Sequence, residues 1–243
     1  MVALSTLIRQ NYENVLTRIQ RAAESAGRGT DDVRLVVVTK AQPVEVVRAA
    51  VEAGARILGE NYPEETQPKI LELGHLNGVQ WHMIGHVQSR KAGIVAEHFD
   101  MLQSLDSLRL AEKLERQLAE RDRALPVLLE FNVGGEESKS GWQAADEAGW
   151  DALLAEIEPL LAMPHLAVRG LMTMPPLFDN PEDARPYFVR LRRLGDFLAR
   201  RYGAEHFTEY SMGTSADFEA AVQEGATLVR VGTAIVGPRP KRN

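Results

Sequence analysis

RLVVVTK, residues 34–40, is the stretch of this sequence that is most informative about the fold. Four consecutive apolar positions and a threonine run directly into Lys40. A continuous apolar run of this length is typical of a parallel strand that is buried on both faces. Lysine, however, is among the residue types least often buried. A buried strand that ends on a lysine needs an explanation, and the rest of the sequence supplies one.

Strand-like and helix-like segments alternate along the whole chain, which predicts a parallel sheet. Eight strand candidates fit a single (β/α)8 barrel spanning residues 1–243, preceded by one extra helix at the N-terminus. A doubly wound open sheet is the alternative. The strand candidates are RLVVVTK, RILGEN, VQWHMIG, FDMLQSLD, PVLLEFNV, LAVRGLMT, HFTEYSMG and TLVRVGTAIVG, and the helix candidates between them are 44–53, 63–73, 87–97, 107–121, 144–161, 181–202 and 215–224.

Composition narrows the class of protein. The chain has 243 residues, no cysteine and a formal net charge of -6. The absence of cysteine excludes disulfide and thiolate chemistry and fits a reducing compartment, so we expect a cytoplasmic protein. The negative charge argues against nucleic-acid binding. No apolar run reaches the roughly 18 residues of a membrane span. We expect a monomer.

Side-chain alternation places Lys40 at the mouth of the predicted barrel. Val36, Val38 and Lys40 share one face of the strand, and Lys40 is its last residue. Barrel proteins carry their chemistry at this C-terminal mouth. A lysine that simply extends into solvent is the alternative. Partial desolvation would lower the pKa of Lys40, and a neutral amine forms a Schiff base with an aldehyde.

The C-terminal part of the sequence adds two features that suit a phosphate. In SMGTS, residues 211–215, Gly213 allows close approach of the backbone, and Ser215 is a good N-cap for the predicted helix 215–224. In the last strand, Arg230 and Gly232 share a face, and Gly232 and Thr233 end it. Loops after strands 7 and 8 commonly bind phosphate in barrels. Together with Lys40, these features indicate an aldehyde that carries a phosphate.

The order of the motifs resembles the pyridoxal phosphate homeostasis protein family, the barrel relatives of the N-terminal domain of alanine racemase. The resemblance runs from Lys40 to Gly237 and is carried by VVVTK, LGENY, WHMIGHVQSRK, NVGGEESKSG, GLMTM, SMGTSADFEAAV and VRVGTAIVG. Thr214 and Gln42 depart from residues common in the family, which has methionine and often a second lysine there.

This resemblance implies a role for each matching residue. Lys40 would form the Schiff base with pyridoxal 5'-phosphate, Asn61 would lie near the cofactor, and Arg230 would face the pyridine nitrogen. The phosphate would be bound by the segments containing Ser211, Gly213, Ser215, Gly232 and Thr233.

The resemblance also implies a cofactor carrier that holds, buffers or delivers the vitamin B6 cofactor to apo-enzymes, with no catalytic residue assigned. Alanine racemases take one of their two bases from a tyrosine on a C-terminal β domain, whereas this sequence ends six residues after Gly237. A racemase-like enzyme and a cofactor-free Schiff-base aldolase are the alternatives.

Several histidines and charged residues near strand ends remain. His82 is predicted to point into the barrel, either hydrogen-bonded there or in contact with the cofactor. His82 and His86 lie on a strand and turn, where their spacing does not suit a metal, and no metal site is predicted. Glu130 is expected in an internal ion pair, and Lys139 in a solvated loop. The remaining histidines that flank strands are interpreted as structural: His75, His98 and His165.

Overall fold

The computed structural model describes residues 2–73 and 78–239, and within them eight parallel strands close into a barrel. Strand β1 pairs with β2 on one side and with β9 on the other, and β4 pairs with β5 to complete the ring. The predicted barrel is therefore confirmed, and the open sheet is wrong. The strands are β1 Arg34–Val38, β2 Ile57–Glu60, β3 Gln80–Met83, β4 Met101–Leu105, β5 Leu125–Asn132, β6 Trp142–Gln143, β7 Leu166–Met172, β8 Glu209–Ser211 and β9 Leu228–Val231.

Helices surround the barrel, and several begin later than the sequence predicts. The first residues of three predicted helices form short 3-10 turns instead, at Ser89–Lys91, Glu147–Gly149 and Pro181–Ala184. The two-residue strand β6, which pairs with β5 outside the ring, was not predicted. The α-helices are α1 Val2–Ser25, α2 Val44–Ala53, α3 Pro63–Leu73, α4 Ala92–His98, α5 Leu108–Ala119, α6 Trp150–Leu161, α7 Arg185–Tyr202, α8 Phe218–Gln223 and α9 Thr233–Val236.

The extra helix α1 packs over the junction between the first and last parts of the barrel. It contacts α2, α8 and α9. The Nδ2 atom of Asn11 donates to the carbonyl oxygen of Ile235 at 3.1 Å, and Arg18 forms an ion pair with Glu219 at 2.8 Å. These contacts join the N-terminal helix to the two short helices that follow β8 and β9.

The barrel wall divides the apolar residues into two groups. Leu35 and Val37 face outward and pack with the surrounding helices, whereas Val36 faces the lumen. This alternation along β1 agrees with the predicted faces of the strand. One lumen layer is formed by side chains from six strands, namely Val36, Ile57, Met101, Leu128, Met172 and Leu228.

Among the described residues, no helix has the length and apolar character needed to cross a membrane. His75, which was interpreted as structural, lies outside the residues that the structure describes.

Candidate cofactor-binding site

A cavity of about 450 Å³ lies above the lumen layer, at the mouth where the C-terminal ends of the strands meet. This size is ordinary for a small-molecule site. Its walls come from the segments that follow β1, β2, β3, β7, β8 and β9. The lining residues are Val38, Lys40, Gln42, Asn61, Ile84, Met174, Leu177, Thr214, Ser215, Ala216, Arg230, Gly232, Thr233, Val236, Gly237 and Arg239.

Lys40 lines this cavity from a turn rather than from the strand itself. Strand β1 ends at Val38, so the prediction that Lys40 is the last strand residue is wrong by two positions. The N–H of Gln42 donates to the carbonyl oxygen of Thr39 at 3.1 Å, which closes a turn with Lys40 and Ala41 at its centre. Ala41 has a φ of 58°, a left-handed conformation that is costly for a residue with a Cβ atom. The turn directs the chain toward α2 and leaves Lys40 half-buried at the mouth.

The pKa of Lys40 is lowered from its ordinary value, chiefly because burial penalises the ammonium form. The cations of Arg239 and Arg230 lower it further, and among the described residues only the Glu60 carboxylate opposes them. A lowered pKa increases the fraction of neutral amine near neutral pH. Lys40 is therefore suited to attack a carbonyl carbon.

The loop after β8 and the residues after β9 form one wall of the cavity. The N–H of Gly232 donates to the Oγ of Ser215 at 3.1 Å, which joins the two segments. Ser215 is not a helix cap, because α8 begins only at Phe218. The carboxylate of Asp217 instead accepts from the N–H and the Oγ1 of Thr214, at 2.6 and 2.9 Å, and closes the loop before the helix.

Gly213 lies behind this wall and does not line the cavity. Its φ of +90° and its packing both require glycine, because a Cβ atom would lie 2.5 Å from the Cβ of Ala221. Its carbonyl oxygen accepts from the N–H of Arg230 at 3.0 Å. Gly213 thus sets the position of the loop relative to β9 rather than offering an open surface to a ligand.

Arg230 extends from β9 across the floor of the cavity and is buried. Its guanidinium donates to the Oγ of Ser211, to the carbonyl oxygen of Thr173 at 2.8 Å and to the Sδ of Met174 at 2.9 Å. Burial lowers its pKa to about 10, against the opposing carboxylates of Asp217 and Glu130. Arg230 therefore stays cationic at neutral pH and is held in one orientation.

Ser211 and His82 belong to a buried hydrogen-bond network beneath the cavity and do not line it. Ser211 donates to the Oε1 of Gln103 at 2.6 Å, and the Nε2 of Gln103 lies 2.8 Å from the Nδ1 of His82. Burial lowers the pKa of His82 to about 3, so this imidazole is neutral. The network orients Arg230 from below. Gln103 was missed, although two adjacent polar residues, Gln103 and Ser104, inside the strand segment MLQSL are a visible signal.

Asn61, Gln42 and Arg239 complete the rim on the side of Lys40. The Oδ1 of Asn61 is buried and has no hydrogen-bond partner in the part of the chain that the structure describes. The Nε2 of Gln42 donates to the carbonyl oxygen of Pro238 at 3.3 Å and holds the segment that carries Arg239. Arg239 was not predicted, because nothing in the spacing of PRPKRN indicates that this segment returns to the mouth.

Glu130 lies on β5, across the barrel from β1, and within the described residues it does not form the internal ion pair that was expected. Arg230, His86 and Lys139 influence it through space, and none of them forms an ion pair with it within the described residues. Its pKa is raised to about 7, first by burial and then by the nearby carboxylate of Asp106. Asp106 itself is paired with the Nδ1 of His86 at 2.6 Å.

The side chains that line the cavity suit a phosphorylated aldehyde as the ligand and do not suit a metal ion. Within residues 2–73 and 78–239, no group of three or more His, Asp or Glu side chains is placed to hold a metal ion. The unpaired Oδ1 of Asn61 indicates a ligand that supplies a hydrogen-bond donor. The cavity has a lysine, Lys40, that can react with a carbonyl group. It also has groups that suit an anion, namely Arg230, Arg239 and the junction of Ser215 with Gly232.

Comparison with known proteins gives three findings. Residues 10–240 match the family model described as alanine racemase, N-terminal domain. A pyridoxal phosphate homeostasis protein from Aquifex aeolicus is 40% identical over 95% of this chain and 97% of its own length. The structure of PipY from Synechococcus elongatus, with PLP (pyridoxal 5'-phosphate) bound, is 35% identical, covers 90% of this chain and 100% of its own, and gives a TM-score of 0.77.

More distantly, an alanine racemase from Streptomyces coelicolor shares the fold. It is 20% identical, covers 95% of this chain and 58% of its own, and gives a TM-score of 0.70.

Glu130→Gln should change how stability depends on pH. With a pKa of about 7 in the folded protein and an ordinary value of 4.5, Glu130 keeps its proton in the fold over a range where the unfolded chain has lost it. The wild type therefore loses stability as pH rises through this range, whereas the glutamine variant does not. Above pH 7 the variant should be more stable by up to about 3 kcal/mol, and below pH 4.5 the two should be similar.

Urea unfolding at several pH values measures this difference. Glu137→Gln, an exposed change in the loop after β5, is the matched control and should follow the wild type. Parallel pH profiles for wild type and Glu130→Gln would contradict the raised pKa.

Proposed function

Because this chain belongs to the pyridoxal phosphate homeostasis protein family, within the alanine racemase N-terminal domain family, we propose that it binds pyridoxal 5'-phosphate covalently at the barrel mouth. It holds, buffers or delivers the cofactor and has no reaction of its own. The barrel of residues 1–243 is the binding unit. When bound, the cofactor supplies an aldehyde that a neutral amine captures as a Schiff base, and a ring that withdraws electrons.

The observation that carries this proposal is the composition of one cavity. A half-buried lysine with a lowered pKa, a buried arginine and the junction of Ser215 with Gly232 all line it. Lys40 is the nucleophile in this proposal. Ser215, Gly232 and Thr233 bind the phosphate, and Arg239 contributes positive charge at the rim.

Arg230 faces the pyridine nitrogen in this proposal and limits the chemistry of the site. A guanidinium only donates hydrogen bonds, and a pKa of about 10 keeps it protonated near neutral pH. Arg230 thus holds the pyridine nitrogen without a proton. A neutral ring is a weaker electron sink than a protonated one, which supports holding the cofactor over using it.

The remaining site residues have supporting roles. Ser211 and His82 orient Arg230 through Gln103, and Gly213 positions the phosphate loop. The free Oδ1 of Asn61 accepts a hydrogen bond from the ligand.

We propose that the protein acts as a monomer in the cytoplasm and passes the cofactor to apo-enzymes. A chain without cysteine suits a reducing compartment. The likeness to alanine racemase, at 20% identity, extends to the fold alone, so the carrier is preferred to a racemase.

Lys40→Ala should abolish covalent capture of pyridoxal phosphate and leave the fold intact, since Lys40 lies in a turn at the mouth and fills no core volume. The measurement is borohydride reduction followed by peptide mass spectrometry, with circular dichroism for the fold. Lys113→Ala, at an exposed position on α5, is the control and should label as the wild type does. Full labelling of the Lys40→Ala protein would assign the bond to another lysine.

Thr233→Val should weaken binding of pyridoxal phosphate while leaving binding of pyridoxal unchanged. The variant keeps the shape of the side chain and removes one hydroxyl. Losing a hydrogen bond to a charged group costs roughly 1.5–3 kcal/mol, or about ten- to a hundredfold in affinity. Thr208→Val, before β8 at the opposite end of the barrel, is the matched control in the titrations. Equal losses for both ligands would remove Thr233 from the phosphate site.

The wild type loaded with pyridoxal phosphate should exchange the α-proton of alanine no faster than free cofactor does. Two reasons support this expectation. Arg230 would keep the pyridine ring neutral, and the proposed site includes no pair of acid–base residues for the α-carbon of the amino acid. Proton NMR in D2O measures the exchange, with the Lys40→Ala protein as the blank. Fast exchange of one enantiomer by the wild type would favour the racemase over the carrier.

A further inference from the structure

A buried ion pair lies directly behind the turn that carries Lys40. Glu60, the last residue of β2, and Lys69, on α3, are both buried, and their Oε1 and Nζ atoms are 2.7 Å apart. Lys69 does not line the cavity. It has no place in the proposed binding of the cofactor, so its burial calls for another explanation.

Both Glu60 and Lys69 form hydrogen bonds with Thr39, the residue before Lys40. The Oγ1 of Thr39 donates to the Oε1 of Glu60 at 2.9 Å, and the Nζ of Lys69 donates to the carbonyl oxygen of Thr39 at 3.1 Å. The same carbonyl oxygen accepts the N–H of Gln42 that closes the turn. Lys69 thus holds the turn at its first carbonyl, next to Ala41 in its costly conformation.

The pair also controls the charge behind Lys40. Within residues 2–73 and 78–239, Glu60 is the one carboxylate that influences the pKa of Lys40. It acts to keep the amine protonated, whereas Arg230 and Arg239 act in the opposite direction. Lys69 neutralises Glu60, whose carboxylate within the described residues otherwise accepts a hydrogen bond only from the Oγ1 of Thr39. Without Lys69, the Glu60 carboxylate would act on Lys40 with no cation beside it to offset its charge.

We infer that Lys69 is a positioning residue for Lys40: it anchors the turn through Thr39 and occupies Glu60, so that the Lys40 amine is free to react with a carbonyl compound. This inference rests on the proposed function only for the identity of that compound. It is tested first on the cofactor-free protein.

The test compares Lys69→Met, Glu60→Gln and the double variant. In Lys69→Met, the uncompensated Glu60 carboxylate should raise the pKa of Lys40 by on the order of one pH unit. In Glu60→Gln, the uncompensated Lys69 cation should lower it. The double variant removes both charges and should return it to near the wild-type value. Lys113→Met, on the exposed face of α5, should change nothing.

Competitive labelling with acetic anhydride across pH, read at the Lys40 peptide by mass spectrometry, gives the pKa without any cofactor. The rate of capture of pyridoxal at neutral pH should fall about tenfold in Lys69→Met and recover in the double variant. A purely structural role for Lys69 would not produce shifts of opposite sign in the two single variants.

An unchanged pKa of Lys40 in all three variants would overturn the inference. If Lys69→Met does not fold, Glu60→Gln and the double variant decide, because adding Lys69→Met to Glu60→Gln must bring the pKa back up. If the wild type fails to capture pyridoxal phosphate, the proposed function is wrong. The labelling experiment uses no cofactor and therefore still tests the role of Lys69.

Discussion

The closure of the sheet is the constraint on which the rest of this molecule depends. Pairing of β4 with β5 and of β1 with β9 leaves the ring without a free edge and fixes the position of every strand. Because all eight strands are parallel, their C-terminal ends meet at one mouth. Lys40 and Arg230 are far apart in sequence and share one cavity for this reason alone. The lumen layer beneath them supplies a packed floor.

Two electrostatic requirements of the mouth are met by the same charges. The hydrogen-bond partners of Arg230 in the described part of the chain are all neutral, so none of them pairs with its charge. With Arg239 it makes the cavity favourable for an anion. The same two cations lower the pKa of Lys40 and increase its neutral fraction. A site that attracts phosphate therefore also prepares the amine, with Glu60 and Lys69 setting the balance from behind.

The sequence was sufficient for the barrel and for several of the residues that line its mouth. Apolar runs and side-chain alternation identified the strands, and Lys40 and Arg230 line the cavity at the mouth as expected, although Lys40 lies in a turn two residues after the end of β1. It was less informative where a tertiary contact decides the local structure. The local sequence predicts Ser215 as a helix N-cap. In the structure, the hydroxyl of Ser215 accepts from the N–H of Gly232, and Asp217 closes the loop before the helix.

Residues that act through others were the hardest to predict. His82 and Ser211 match the family motifs, but both bond to Gln103 below the cavity. Glu130 was expected in an internal ion pair, whereas among the described residues it forms none and has a pKa of about 7. Gln103 and Lys69 were not singled out, since the partner that gives each its role comes from another element of the fold.

The pairing of β1 with β9 has a consequence for the time at which the site comes into existence. Residues 34–37 pair with residues 228–231, and α1 packs against α8 and α9. Contacts between the two ends of a chain are entropically costly and form late in folding. During synthesis Lys40 leaves the ribosome long before Arg230, Gly232 and Thr233 exist. A nascent chain therefore exposes Lys40 before it has the burial and the cations that lower its pKa, and Lys40 becomes reactive and selective only when the ring closes.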